Sequence, residues 1–149
     1  MEDIKKKIAK GLDLQKKGKI DESLKYYQQA LLIDDKNPQL LFLIGNAYLQ
    51  KNNFIDSIAF FKKTINLDRN NVGAYNNLGG ALQILKKYEK AIDIYKKLLL
   101  IKPNFSDGYN NIGTCLVHLK DFSNASKHFE KAISLNPKDY VAYNNIGLI

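Results

Sequence analysis

The sequence predicts an all-α protein made of a row of antiparallel helical hairpins, on three observations. The block Tyr75-Asn76-Asn77-Leu78-Gly79 returns as Tyr109-Asn110-Asn111-Ile112-Gly113 and as Tyr143-Asn144-Asn145-Ile146-Gly147, each time after 34 residues, and Ile44-Gly45 ends a weaker copy. A second marker keeps the same period: Tyr27-Gln28-Gln29, Phe61-Lys62-Lys63, Tyr95-Lys96-Lys97 and Phe129-Glu130-Lys131. Within each period apolar residues recur at helical spacing on both sides of a polar break, as in Leu82, Leu85, Ala91, Ile92, Tyr95, Leu98 and Leu99, and no stretch alternates as a strand would.

The elements follow in chain order. First helices are expected near residues 4–17, 38–51, 72–85, 106–119 and 140–149, and second helices near 20–33, 54–67, 88–101 and 122–135, giving repeats of about 4–37, 38–71, 72–105 and 106–139 with a partial fifth at 140–149. The opening helix departs from the pattern: Lys7 and Lys10 stand at large apolar places, and Ile4, Ile8 and Leu12 form an i, i+4, i+8 stripe instead. One polar face suits a terminal cap, which has no neighbour stacked outside it. The stripe lacks the bulky Trp or Phe of a membrane-surface helix. Asn37 before Pro38 reads as the start of the third helix, because asparagine accepts from an orphan N–H and proline is pre-set for the first helical position. Pro103 and Pro137 fall just past the ends of second helices. Gly45, Gly79 and Gly113 are expected to let two helices approach closely, meeting the small residues Ser23, Ser57, Ala91 and Ala125, with aromatics filling the space between neighbouring hairpins. Each aromatic would contribute roughly 1.5–3 kcal/mol by burial. In the partial fifth repeat Tyr143 and Ile146 occupy inward places, and Leu148 and Ile149 end the chain on apolar residues. A lone helix of that length is too short to be stable without packing. Two expectations follow: further repeats after Ile149, which is favoured, or end-to-end self-association through residues 140–149.

Composition narrows the function classes. The chain of 149 residues is 45% hydrophobic and 26% charged, which fits a single folded domain. Its longest apolar runs, near Leu40–Ile44 and Leu98–Ile101, are far short of the roughly 20 residues that span a bilayer. No secretory signal pattern opens the chain, so a cytoplasmic location is expected. The single cysteine, Cys115, fits a reducing compartment. The net charge of +8 would suit nucleic acid, but of 23 basic residues only Arg69 is arginine, and phosphate and base-edge recognition favours the guanidinium fork. The lysines therefore read as a solvated surface, and nucleic acid is not the expected partner.

Signatures of catalysis are missing: there is no G-x-S-x-G, H-E-x-x-H, P-loop or dinucleotide-binding glycine cluster. Cys115, His118 and His128 form the one metal-like constellation. Three potential ligands fall short of the four of a structural zinc site, and Cys115 takes a small-residue place held by Ala47 and Ala81. Neither a metal nor a cofactor nor a small-molecule substrate is expected, and the protein is not read as an enzyme.

The pattern resembles the tetratricopeptide repeat over the whole chain. Residues 72–105 carry Tyr75, Leu78, Gly79, Leu82, Ala91, Tyr95, Leu98 and Pro103 at the signature places, and residues 106–139 carry Tyr109, Ile112, Gly113, Leu116, Ala125, Phe129, Ala132 and Pro137. The resemblance implies a right-handed superhelical solenoid whose first helices line a concave side that binds an extended peptide or a partner helix. The residues expected to touch such a ligand are Asn46, Asn76, Asn77, Asn110, Asn111, Asn144 and Asn145. An amide offers two donors and an acceptor, so a ladder of them can grip peptide backbone whatever its side chains. The alternative is that Asn76 and Asn77 hydrogen-bond between neighbouring repeats. The ladder is similar to that of O-linked N-acetylglucosamine transferase and of bacterial arrays placed before glycosyltransferase or sulfotransferase domains, which leaves an N-terminal targeting segment of a larger enzyme as the alternative function. A carboxylate clamp like that of chaperone-binding members is not expected, since Phe42, Asp107 and Asn111 stand where its cations would be.

Overall fold

The computed structural model describes residues 2–138 and 140–147, so the expectations for Leu148 and Ile149 lie outside the described residues. Among those described, the chain is helical throughout: α1 (Glu2–Lys16), α2 (Ile20–Leu31), α3 (Pro38–Gln50), α4 (Phe54–Leu67), α5 (Val72–Ile84), α6 (Tyr88–Ile101), α7 (Ser106–His118), α8 (Phe122–Leu135) and α9 (Tyr140–Ile146). No strand occurs among them. The expected boundaries hold to within about two residues wherever both ends are described, a margin at which helix ends are ill-defined in any case. The chain divides into two compact units, one up to Ala74 and one from Tyr75.

Side chains start the helices where the sequence supplies them. Asn37 caps α3, its oxygen accepting from the Leu40 N–H at 3.0 Å, with Pro38 at the first helical position. One period on, Asn71 does the same for the start of α5, accepting from the Ala74 N–H at 2.9 Å. Both cap residues are held in turn by the preceding aspartate: Asn37 donates to Asp34 at 3.2 Å and Asn71 to Asp68 at 3.0 Å. Asn53 and Asp121 cap α4 and α8.

The hairpin turns share one device. Gly18, Asn52, Lys86 and Lys120 all have a positive φ, between 57° and 75°. After each of them an N–H reaches back across the helix end: Lys19 to the Leu14 carbonyl, Asn53 to Tyr48, Lys87 to Leu82 and Asp121 to Leu116, all at 2.9 Å. This is the Schellman arrangement, which satisfies carbonyls that the end of a helix would otherwise orphan.

The core repeats with the sequence. Tyr27, Phe61, Tyr95 and Phe129 are fully buried, as are the small residues Ser23, Ser57, Ala91 and Ala125. The nearest neighbours of the glycines are the aromatics of the former set. A methyl added to Gly45 would lie 2.6 Å from the Phe61 ring, to Gly79 2.5 Å from Tyr95, and to Gly113 2.5 Å from Phe129. The aromatic ring thus lies over the glycine of its own hairpin. Gly11 heads the series, 2.4 Å from Tyr27 by the same measure, so the opening hairpin keeps the pattern's glycine although Lys7 and Lys10 replace its large residues. The hydroxyls of Ser23 and Ser57 donate to backbone carbonyls one turn earlier, so their burial leaves no unsatisfied donor. Ile4 and Ile8 of the opening stripe pack on a cluster built from Leu24, Tyr27, Ala30, Leu40, Ile44 and Ala47.

In α9, Ala142 is buried, but Tyr143 is 47% exposed where an inward place was expected. The tyrosine one period earlier, Tyr109, has the His128 ring of its own second helix 6.3 Å away, and among the described residues no second helix stands against Tyr143. Tyr140 and Val141 are also exposed.

Candidate peptide-binding face

The repeated asparagines are joined in pairs across successive first helices of the second unit. Asn111 Nδ2 donates to Asn76 Oδ1 at 3.4 Å, and Asn145 Nδ2 donates to Asn110 Oδ1 at 3.0 Å. These two bonds have the same sequence separation of 35, so each is the translation of the other by one repeat. The first bond is long for N–H···O and the second normal. The inter-repeat role foreseen as the alternative is therefore present. It does not exhaust the amides. Each bond uses one donor of one amide and one acceptor of the other, leaving the pair with further N–H and C=O capacity on a half-buried surface. Asn77 is half-buried on α5, Asn144 is exposed on α9, and Asn46 belongs to the first unit, half-buried on α3.

An amide pair unforeseen from the sequence lies in the first unit. Gln15 Nε2 donates to Gln50 Oε1 at 3.0 Å across α1 and α3, again at a separation of 35, while Gln15 Oε1 accepts from the Tyr27 hydroxyl at 2.7 Å. Gln83 accepts likewise from Tyr95 at 3.2 Å. The signal was in the sequence: Gln15 and Gln83 share a place in the period, and Tyr27 and Tyr95 share another.

Beside Asn145 the surface is shaped as well as polar, and a second hollow lies on α2. In the second unit a notch of about 180 Å³ is lined by Thr114, Val117 and His118 of α7, Phe129 of α8 and Asn145 of α9. The His118 ring lies flat on Tyr88, with centroids 4.5 Å apart and planes 7° from parallel. A larger hollow of about 700 Å³ in the first unit is lined by Lys25, Gln28, Gln29, Leu31, Leu32 and Asp35, from α2 and the turn after it.

The metal-like constellation is dispersed into other duties. Cys115 is fully buried, and burial pushes its thiol up to about 12; His118 is engaged by Tyr88; His128 Nδ1 lies 2.8 Å from the Asn124 carbonyl. Among the described residues no group of three or more His, Cys, Asp or Glu side chains is gathered where it could hold a metal ion. Lys62, Lys63, Lys86, Lys87, Lys96 and Lys97 are exposed, as a solvated lysine surface requires. Among the described residues no helix is long and apolar enough to cross a membrane.

Comparison with known families finds units of the same period. Family profiles described as tetratricopeptide repeat match residues 38–71, 72–105 and 106–139, and one described as TPR repeat matches residues 11–52. The chain belongs to the tetratricopeptide repeat family. Arrays of this family serve as protein-interaction scaffolds, and this chain is one. No curated protein matches it in sequence. Among solved structures it is similar to a crystal structure of MamA protein, with a TM-score of 0.92 and 27% identity over 99% of this chain and 80% of that one. MamA 41-end from Desulfovibrio magneticus RS-1 gives a TM-score of 0.92 at 18% identity, covering 99% and 84%. The first TPR of Spaghetti (RPAP3), bound to the HSP90 peptide SRMEEVD, gives 0.73 at 22%, covering 77% and 91%. At those identities the last two show the tetratricopeptide fold alone. Phe42, at a place where a carboxylate clamp has a cation, is occupied in packing, its ring centroid 6.0 Å from that of Phe61 and its edge against Gly73.

Proposed function

We propose that this tetratricopeptide scaffold binds an extended peptide along the first-helix face of its second unit, gripping backbone through Asn76, Asn77, Asn110, Asn111, Asn144 and Asn145, with Asn46 serving the same role in the first unit. The observation that carries the reading is the pair of translated amide bonds, Asn111 to Asn76 and Asn145 to Asn110. A backbone peptide group needs one acceptor for its N–H and one donor for its C=O, and each asparagine pair retains both after its internal bond. Repetition by one repeat supplies the same grip again along the face. The internal bond also preorganises the amides, so less side-chain entropy is lost when a ligand arrives.

Peptides selected from a displayed library of linear sequences against the 149-residue chain test this. For a selected peptide, changing Asn76 and Asn110 together to alanine should weaken binding roughly 5- to 150-fold, from two lost bonds of about 0.5–1.5 kcal/mol each, with helicity by circular dichroism unchanged. Affinity that survives the double change would remove the amides from the site.

A further inference from the structure

We infer that the notch lined by Thr114, Val117, His118, Phe129 and Asn145 is a side-chain subsite that receives an aromatic residue, tyrosine above all, of the bound peptide; this rests on the peptide-binding reading of the same face. The places that line it have counterparts one period earlier, Gly80, Gln83, Ile84, Tyr95 and Asn111. In that earlier repeat the Tyr95 hydroxyl donates to Gln83 Oε1 at 3.2 Å, and in the opening repeat Tyr27 donates to Gln15 at 2.7 Å. A polar pair therefore fills this position in two of the four hairpins. In the fourth, phenylalanine replaces tyrosine and valine replaces glutamine, so the hydroxyl and the amide are both gone and carbon lines the space they would take. The second hairpin also has phenylalanine, Phe61, but carries the larger Leu49 where the fourth has Val117.

Size and chemistry select the occupant. An apolar cavity of about 150 Å³ admits benzene, so a notch of about 180 Å³ has room for a phenyl or phenol ring. Its lining includes the His118 ring, held flat by Tyr88, so an entering ring finds an aromatic partner in place, while the fully buried Phe129 backs the wall. The Thr114 hydroxyl is turned to its own helix, donating to the Asn110 carbonyl at 3.0 Å, and leaves the wall apolar. Asn145 belongs to the lining with one N–H given to Asn110, and its carbonyl oxygen suits a phenol O–H. Because Asn145 also belongs to an amide pair of the backbone grip, the subsite and the grip are contiguous. A peptide held by its main chain presents a side chain at the notch.

Titration of the isotope-labelled chain by NMR with N-acetyl-tyrosinamide, N-acetyl-phenylalaninamide, N-acetyl-leucinamide and N-acetylglycinamide tests the inference directly. The two aromatic amides should shift the backbone signals of residues 114–118 and 145 saturably, with Kd in the millimolar range and the tyrosine amide the tighter, while the leucine probe is about tenfold weaker or more and the glycine probe is silent. The double change Val117→Gln with Phe129→Tyr installs the pair already tolerated in the first and third hairpins, so the fold should persist, and it should weaken the aromatic probes by about tenfold or more. Equal response to leucine and tyrosine probes, shifts confined to other residues, or an unchanged double variant would overturn the subsite. Library-selected peptides without an aromatic residue that still depend on Asn76 and Asn110 would overturn it while leaving the backbone grip standing. Aromatic shifts at the notch with peptide binding indifferent to those asparagines would overturn the grip instead.

Discussion

A methyl group added at Gly79 would sit 2.5 Å from a Tyr95 ring that is fully buried, whereas one added at its neighbour Gly80 meets nothing closer than 3.9 Å. The two glycines are adjacent in one helix and should respond oppositely to the same substitution. Gly80→Ala should raise stability by up to about 1 kcal/mol, the helix-propensity difference. Gly79→Ala gains that same amount but forces the ring out of place, and overpacking of this kind costs about 1–3 kcal/mol, so the variant should end at or below the parent. Urea midpoints of the two variants decide the matter, and coinciding midpoints would mean that the glycine–aromatic contact does not constrain the position. The period of the glycines is plain in the sequence, yet their nearest partner is not, because small residues on the second helix are the natural mates for a close helix contact. That an aromatic lies over the glycine depends on side-chain direction, which spacing alone does not give. The same limit hides the notch: Val117 and Phe129 are apolar places in the sequence, and it is the Tyr–Gln hydrogen bonds of the first and third hairpins that mark what the fourth lacks.

The starts of α3, α4, α5 and α8 fall where the period and the capping residues place them, because Asn37, Asn53, Asn71 and Asp121 each offer an oxygen to an orphan N–H, whereas α2, α6 and α7 begin without a side-chain cap. What the one-dimensional pattern could not supply was which amide meets which. Asn76 and Asn77 sit side by side in sequence, but it is Asn76 that accepts from the next helix's Asn111, a match set by how successive first helices are staggered. The turns also carry a stability prediction. Gly18 and Asn52 tolerate the left-handed backbone at their places, whereas Lys86 and Lys120 hold it with φ of 57° and 62°, at a cost of roughly 1–2 kcal/mol for an ordinary L-residue. Lys86→Gly and Lys120→Gly should each be stabilising, by about 0.5–1 kcal/mol once the greater freedom of glycine in the unfolded chain is subtracted. Thermal melts of the single variants check this. A fall in melting temperature would mean that the lysine side chains make stabilising contacts outweighing the backbone strain.

Across the molecule, both units bury a tyrosine under the same packing rule, and the consequence is a loss of stability in alkali. Burial raises Tyr27 to about 12 and raises Tyr95 further still, the latter with a smaller contribution from nearby Cys115, whose own thiol burial pushes up to about 12. In the unfolded chain the thiol ionises near 8.5–9 and the phenols near 10. Between those values and about 12, the unfolded chain has released protons that the native chain retains. Stability then falls as pH rises, since it follows the number of protons bound by the unfolded state minus the number bound by the native state. Below about pH 8 all three groups are protonated in both states and contribute nothing to the pH dependence. The sister repeats supply the control: Ala47 and Ala81 stand at the place of Cys115, and Phe61 and Phe129 at the place of Tyr27 and Tyr95, so Cys115→Ala with Tyr27→Phe and Tyr95→Phe should fold. At pH 7 that triple variant should be less stable by about 0.5–1.5 kcal/mol for each hydroxyl bond lost, to Gln15 and to Gln83. Between pH 9 and about 11 its denaturation midpoint should decline much less steeply than that of the parent, because the three groups whose protons are held by burial are gone. Parallel declines in the two proteins would show that the buried phenols and thiol do not set the alkaline limit.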